Sequence, residues 1–219
     1  GIGHLTASLT VIRELLKDFD IDLIYGGQQI DIHLSHPGFR VLILPTLLLD
    51  EKSGQLHNPA SRYSIEQLWH LRDKKIASFL YKKYEAALVE FFPFGRRKFK
   101  NEINTLFSRL REITPLMPIF SFVREVLVPE SIDIEKNIVK SIHKDIHTVF
   151  VRGDPSVIQF YETFASAQEI AHKICYLGYL GGDLPSSNPV RTKRILVSQG
   201  GGNVGNTLLA AAVQAAPLL

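Results

Sequence analysis

The chain has 219 residues, 45% of them hydrophobic, with 25 basic and 22 acidic side chains and a formal charge of +3. That much apolar material excludes a disordered chain, and so mild a charge gives no electrostatic case for a nucleic-acid partner. A single cysteine, Cys175, excludes an internal disulfide framework and fits a reducing, cytoplasmic setting. The best apolar run, residues 41–49, is broken by Pro45 and stopped at Asp50, too short to span a bilayer.

In chain order, Leu5, Leu9, Ile12, Leu15 and Leu16 recur at helical spacing directly after Gly1-Ile2-Gly3-His4. Residues 21–25 predict a short apolar strand closed by Gly26-Gly27, and residues 39–44 a second strand stopped by Pro45. Residues 49–63 are polar and irregular, a long loop. Ser64-Ile65-Glu66-Gln67 is a capping pattern that opens a helix over 64–86. Strands are expected at 87–92, 118–123, 148–152 and 173–179, with helices at 96–112 and 133–144 and shorter ones at 156–164 and 165–172 between them. Residues 181–192, rich in Gly, Pro and Ser, read as a linker, followed by a strand at 194–198, three glycines and a helix from Asn206.

Short apolar strands alternating with helices are the mark of a parallel sheet covered on both faces. The expected fold is α/β, a Rossmann-like doubly wound parallel sheet over 1–180, a linker over 181–193, and the start of a second Rossmann-like domain over 194–219. Such sheets bind ligands beyond the carboxyl ends of their strands. The two glycine turns fall there. Gly1-Ile2-Gly3 is the turn from a strand expected before it into the first helix, which makes the chain an expected internal piece of a longer protein. His4 would stand at the cleft mouth, where a neutral imidazole can accept a proton. Ser198-Gln199-Gly200-Gly201-Gly202-Asn203 offers bare backbone donors at a helix start, suited to a diphosphate. It is not a Walker loop, since no Gly-Lys-Ser/Thr follows.

The chain resembles nucleotide-sugar glycosyltransferases of the two-Rossmann (GT-B) type, lipid-linked cell-wall N-acetylglucosaminyltransferases and related predicted glycosyltransferases among them. The resemblance rests on Gly1-Ile2-Gly3-His4, Glu90-Phe91-Phe92-Pro93-Phe94-Gly95-Arg96, Tyr176-Leu177-Gly178-Tyr179 and Ser198-Gln199-Gly200-Gly201-Gly202. It implies an acceptor-binding amino-terminal domain and a nucleotide-sugar-binding carboxyl-terminal one, of which only the first strand, turn and helix are present. It also implies His4 near the reacting centre and Ser198, Gly200, Gly201, Gly202 and Asn203 against the donor diphosphate. With the donor domain cut short, the fragment alone is expected to be inactive.

Glycosyl transfer needs a base for the acceptor hydroxyl and stabilisation of the departing diphosphate. Glycine-turn amides can supply the latter without a metal, so no metal or other cofactor is expected. His4 is the first choice as base. Glu90 competes with it: a carboxylate near the end of an apolar strand must be paired or face a wet cleft, and Arg96 or Arg124 would be its structural partner. Gly1, Gly3 and Arg124 are the expected acceptor-binding residues. Residues 92–100 mix aromatics with Arg96, Arg97, Lys98 and Lys100: a membrane-surface patch suited to a lipid-linked acceptor, a nucleic-acid contact, or a helix start with its charged face solvated. His143 and His147 lack a metal-site pattern, and Cys175, inside an apolar strand, is expected to be buried. The alternatives are a nucleotide-sugar epimerase of the same fold and a non-catalytic domain that binds a polyanion or a membrane surface.

Overall fold

The structure, a computed structural model, describes residues 2–28, 30–50, 53–58, 60–181, 194–198 and 206–218. The chain is mixed α/β with parallel sheets. In order it forms α1 (Ile2–Leu15), β1 (Ile21–Tyr25), β2 (Phe39–Ile43), β3 (Leu48–Leu49), β4 (Leu56–His57), α2 (Ile65–Phe79), β5 (Ala87–Glu90) and α3 (Lys100–Ile113). It continues with β6 (Ile119–Arg124), α4 (Ile132–Asp145), β7 (Thr148–Arg152), β8 (Ile174–Tyr176) and α5 (Asn206–Ala215). Strands β1 and β2 pair in parallel, and β5, β6, β7 and β8 form a four-stranded parallel sheet in that order.

Burial of continuous apolar runs builds the four-stranded sheet. Val123, Val149 and Val151 have no exposed surface, nor has Ile142 of α4 packed on them. Helix α4 presents Ile138, Val139 and Ile142, and α3 presents Phe107 and Leu110, each set one turn apart on a single face. Helix α2 begins where its capping box predicts: the Gln67 amide donates to the Ser64 hydroxyl at 3.2 Å, and the Ser64 amide donates to the Gln67 side chain at 2.9 Å.

Several expectations are corrected. Helix α1 already includes Gly3 and His4, so the turn expected at 1–3 is helical from Ile2 onward. Helix α2 stops at Phe79 rather than 86, because Tyr81 and Tyr84 leave the helical path to meet Arg40 and Asp22. The loop at 49–63 holds a two-residue antiparallel ribbon, β3 with β4, turned through Gly54 at φ +65°. The expected helix at 156–164 is a 3-10 turn at Phe160–Glu162, and Ala165–Lys173 is also 3-10. Residues 194–198 are exposed and belong to none of the sheets that the described residues form, so the strand expected there is not seen. Cys175 is exposed, because among the described residues β8 pairs only with β7, and it turns Ile174 and Tyr176, not Cys175, toward the core.

Candidate functional site at the carboxyl edge of the sheet

Strand β5 ends at Glu90, and the chain then bends sharply. Phe91 has φ +65° and Arg96 φ +61°; among the described residues these are the non-glycine positions with positive φ. Such a conformation costs a bulky side chain about 1–2 kcal/mol. The bend is tied at several points. The Phe91 amide donates to the Phe122 carbonyl at 2.8 Å, the Gly95 amide to the Phe91 carbonyl at 2.7 Å, and the buried Ser121 hydroxyl to the Phe92 carbonyl at 2.7 Å. A Cβ at Gly95 would run into the Phe91 ring, so glycine is required there. Phe92 and Phe94 fill the core beneath, Phe94 edge-on to Phe160 and Phe164.

This bend fixes Glu90 at the rim, where it meets the first turn of α1. His4 Nδ1 lies 2.5 Å from Glu90 Oε1, with side chains 27% and 17% exposed. A carboxylate at Glu90 accepts from Nδ1–H, and in a neutral imidazole that leaves Nε2 as the acceptor. Phe91 flanks the imidazole at a ring distance of 5.1 Å. From β7, two strands away, Arg152 crosses the face of Phe122 at 4.8 Å and brings a guanidinium nitrogen to 3.4 Å from Glu90 Oε1. Glu90 Oε2 and Arg152 Nε are buried without a hydrogen-bond partner among the described residues. A buried polar group that finds no partner, protein or water, costs about 1–3 kcal/mol. Arg124, at the end of β6, is exposed, with its guanidinium 5.6 Å over the Phe91 ring, and forms no ion pair among the described residues.

Two residues read as rival bases are therefore hydrogen-bonded to each other, and Arg124 lies against the same Phe91 ring that flanks His4. The arginine paired with Glu90 is Arg152, not Arg96 or Arg124. Its signal was an arginine closing the buried strand Thr148–Arg152, but its partner depends on sheet order. A Cβ at Gly3 would meet no protein atom within 4 Å among the described residues. Ser198 is exposed; Gly1, Gly200, Gly201, Gly202 and Asn203 lie outside the described residues. The aromatic half of the expected surface patch is buried as Phe92 and Phe94, while Arg97 pairs with Glu130 at 2.6 Å.

No group of three or more His, Cys, Asp or Glu residues is placed to hold a metal among the described residues, and His143 stacks on His172 with ring centres 5.8 Å apart. Among the described residues no helix is long and apolar enough to cross a membrane. Comparison of the chain with protein-family models, with curated proteins and with solved structures finds no match.

Proposed function

We propose that this chain is the acceptor-side part of a glycosyltransferase that moves a sugar from a nucleoside diphosphate sugar to an acceptor hydroxyl, with His4 as general base. The observation that carries this reading is the 2.5 Å contact between His4 and Glu90 at the carboxyl edge of a parallel sheet. Ligands of such sheets gather at that edge. The strand orders β2–β1 and β5–β6–β7–β8 fit the doubly wound, Rossmann-like arrangement the reading requires.

In this scheme Glu90 accepts from Nδ1, orients the ring and stabilises the imidazolium formed when Nε2 takes the acceptor proton. The acceptor oxygen bonds to the sugar carbon as the bond from that carbon to the diphosphate breaks. Arg152 supplies the counter-charge that keeps Glu90 from facing the site as an isolated anion. Arg124, exposed beside Phe91, holds an anionic or polar group of the acceptor. The donor diphosphate falls to Ser198, Gly200, Gly201, Gly202 and Asn203, whose amides would act without a metal.

The test is His4→Ala in the full-length protein, scored by label transferred from a panel of radiolabelled nucleoside diphosphate sugars to hydroxyl acceptors. Loss of a general base lowers turnover by about 100-fold to 10,000-fold. Turnover equal to that of the unaltered protein would remove His4 from the mechanism.

A further inference from the structure

Phe91 is left-handed at φ +65°, a backbone conformation that glycine adopts without steric conflict and phenylalanine does not. The bend it opens is held by other groups than its ring. The Phe91 amide donates to the Phe122 carbonyl, the Ser121 hydroxyl donates to the Phe92 carbonyl, and Phe92 and Phe94, 2% and 5% exposed, anchor the bend in the core. The Phe91 side chain is only half-buried, at the margin of that core. A ring kept where glycine would sit without strain points to a task for the ring.

Two groups of the candidate site meet on it. The His4 imidazole lies 5.1 Å away, centre to centre, at an interplanar angle of 50°. The central carbon of the Arg124 guanidinium lies 5.6 Å from the ring centre. Both distances are those of attractive aromatic and cation–π contacts. For His4 the ring supplies what the hydrogen bond to Glu90 does not. That bond fixes Nδ1 but leaves the imidazole free to swing about it, and Nε2 swings too. A second contact on the imidazole limits the swing and aims Nε2. Arg124 is exposed and forms no ion pair among the described residues, so the ring is a fixed point for an otherwise loose guanidinium. Gly95 completes the seat: a Cβ there would come within 2.4 Å of the Phe91 ring.

We infer that Phe91 is a positioning residue whose one ring sets the plane of the His4 imidazole and the place of the Arg124 guanidinium together. Its strained backbone is the means by which the chain, leaving β5 at Glu90, turns that ring between the base and its neighbours instead of into the core. The use of this arrangement rests on the sugar-transfer reading: base and anion-holding group then meet one acceptor at a set separation. The holding of His4 and Arg124 does not rest on it.

Nitrogen-15, carbon-13 and proton NMR of the 219-residue chain tests the inference. In the unaltered protein the carbon-bound protons of the His4 imidazole should show nuclear Overhauser contacts to the Phe91 ring, with a resolved Nδ1 proton. In Phe91→Leu, apolar but ringless, that proton should exchange with water about two- to tenfold faster, the weight of one aromatic pair. The order parameter of the Arg124 Nε–H should fall in the same variant. Gly95→Ala keeps Phe91 but displaces its ring, and should reproduce both changes. Phe91→Tyr, which keeps a ring, should match the unaltered protein. Unchanged amide exchange over Thr148–Arg152 certifies an intact fold in each. A Phe91 that only packs would lower stability in Phe91→Leu and leave the His4 proton as it was. That result, or a proton that Phe91→Tyr fails to keep, or no Overhauser contact in the unaltered protein, overturns the inference. If the variants do not fold, the Overhauser contacts of the unaltered protein decide alone. Labelled sugar transfer is scored separately, so either reading can fail without the other.

Discussion

The two parallel sheets are made of similar sequence and reach different states. Ile-Asp-Leu-Ile-Tyr of β1 and Phe-Arg-Val-Leu-Ile of β2 are as apolar as Thr-Val-Phe-Val-Arg of β7, yet no residue of either strand is fully buried. In β6 and β7, Phe122, Val123, Val149 and Val151 are 1% exposed or less. What separates the two is neighbours. A strand flanked on both edges and covered by helices loses its apolar surface to the core, whereas one with a free edge keeps part of that surface wet. Strand composition announces where a strand forms; only sheet continuity decides what its burial is worth.

The largest expected effect comes from the tie between the two regions. Arg72 of α2 is 2% exposed, donates twice to Glu102 of α3 at 2.7 Å, and reaches the Pro45 carbonyl beyond β2 at 2.6 Å. Arg72→Met leaves Glu102 unpaired and should cost about 3–5 kcal/mol in denaturant unfolding. Amide exchange should rise most in β1 and β2; an equal rise in β6 and β7 would show that Arg72 is not a tie between regions.

The next effect compares like with like. Ile142→Ala removes a side chain with no exposed surface and should cost about 2–5 kcal/mol. Ile24→Ala, on half-buried β1, should cost about 1 kcal/mol, since much of its area is already wet. Equal losses in urea unfolding would contradict the contrast.

The smallest effect lies at the start of β1. Burial would raise the Asp22 pKa, but hydrogen bonds from Arg40 and Tyr84, with the charges of Arg40 and Lys82, outweigh it and hold the carboxyl below its usual range. A carboxyl depressed in the folded state adds stability above about pH 4, and that stability is lost as pH falls through the folded value. Unfolding measured from pH 6 downward should therefore show a decline that Asp22→Asn flattens. Parallel pH curves for the two proteins would deny Asp22 this role.

Much of this architecture was legible in the sequence, for physical reasons that differ by element. Residues 148–152 fall on β7 to the residue, because an apolar run between two polar boundaries has one way to be buried. Ser64 announced the start of α2 through its capping box, but nothing local announced its end, since Leu80, Tyr81 and Tyr84 continue an apolar pattern that tertiary contacts with Arg40 and Asp22 redirect. The β3–β4 ribbon is too short for its period to show. At the site, His4 and Glu90 were each recognisable by position at a strand or helix end. Their contact spans 86 residues and Arg152 enters from two strands over, and no spacing in the sequence encodes sheet order. The glycine turn at 199–205 lies outside the described residues.

In the proposed mechanism Glu90 holds the His4 imidazole with Nδ1 protonated and Nε2 free to take a proton. Nitrogen-15 and proton NMR of the His4 ring, in the unaltered protein and in Glu90→Leu, tests it most directly. The expected spectrum has a protonated Nδ1 with a strongly downfield proton that disappears in Glu90→Leu. A His4 ring protonated on Nε2 alone, or a spectrum indifferent to Glu90→Leu, would contradict it.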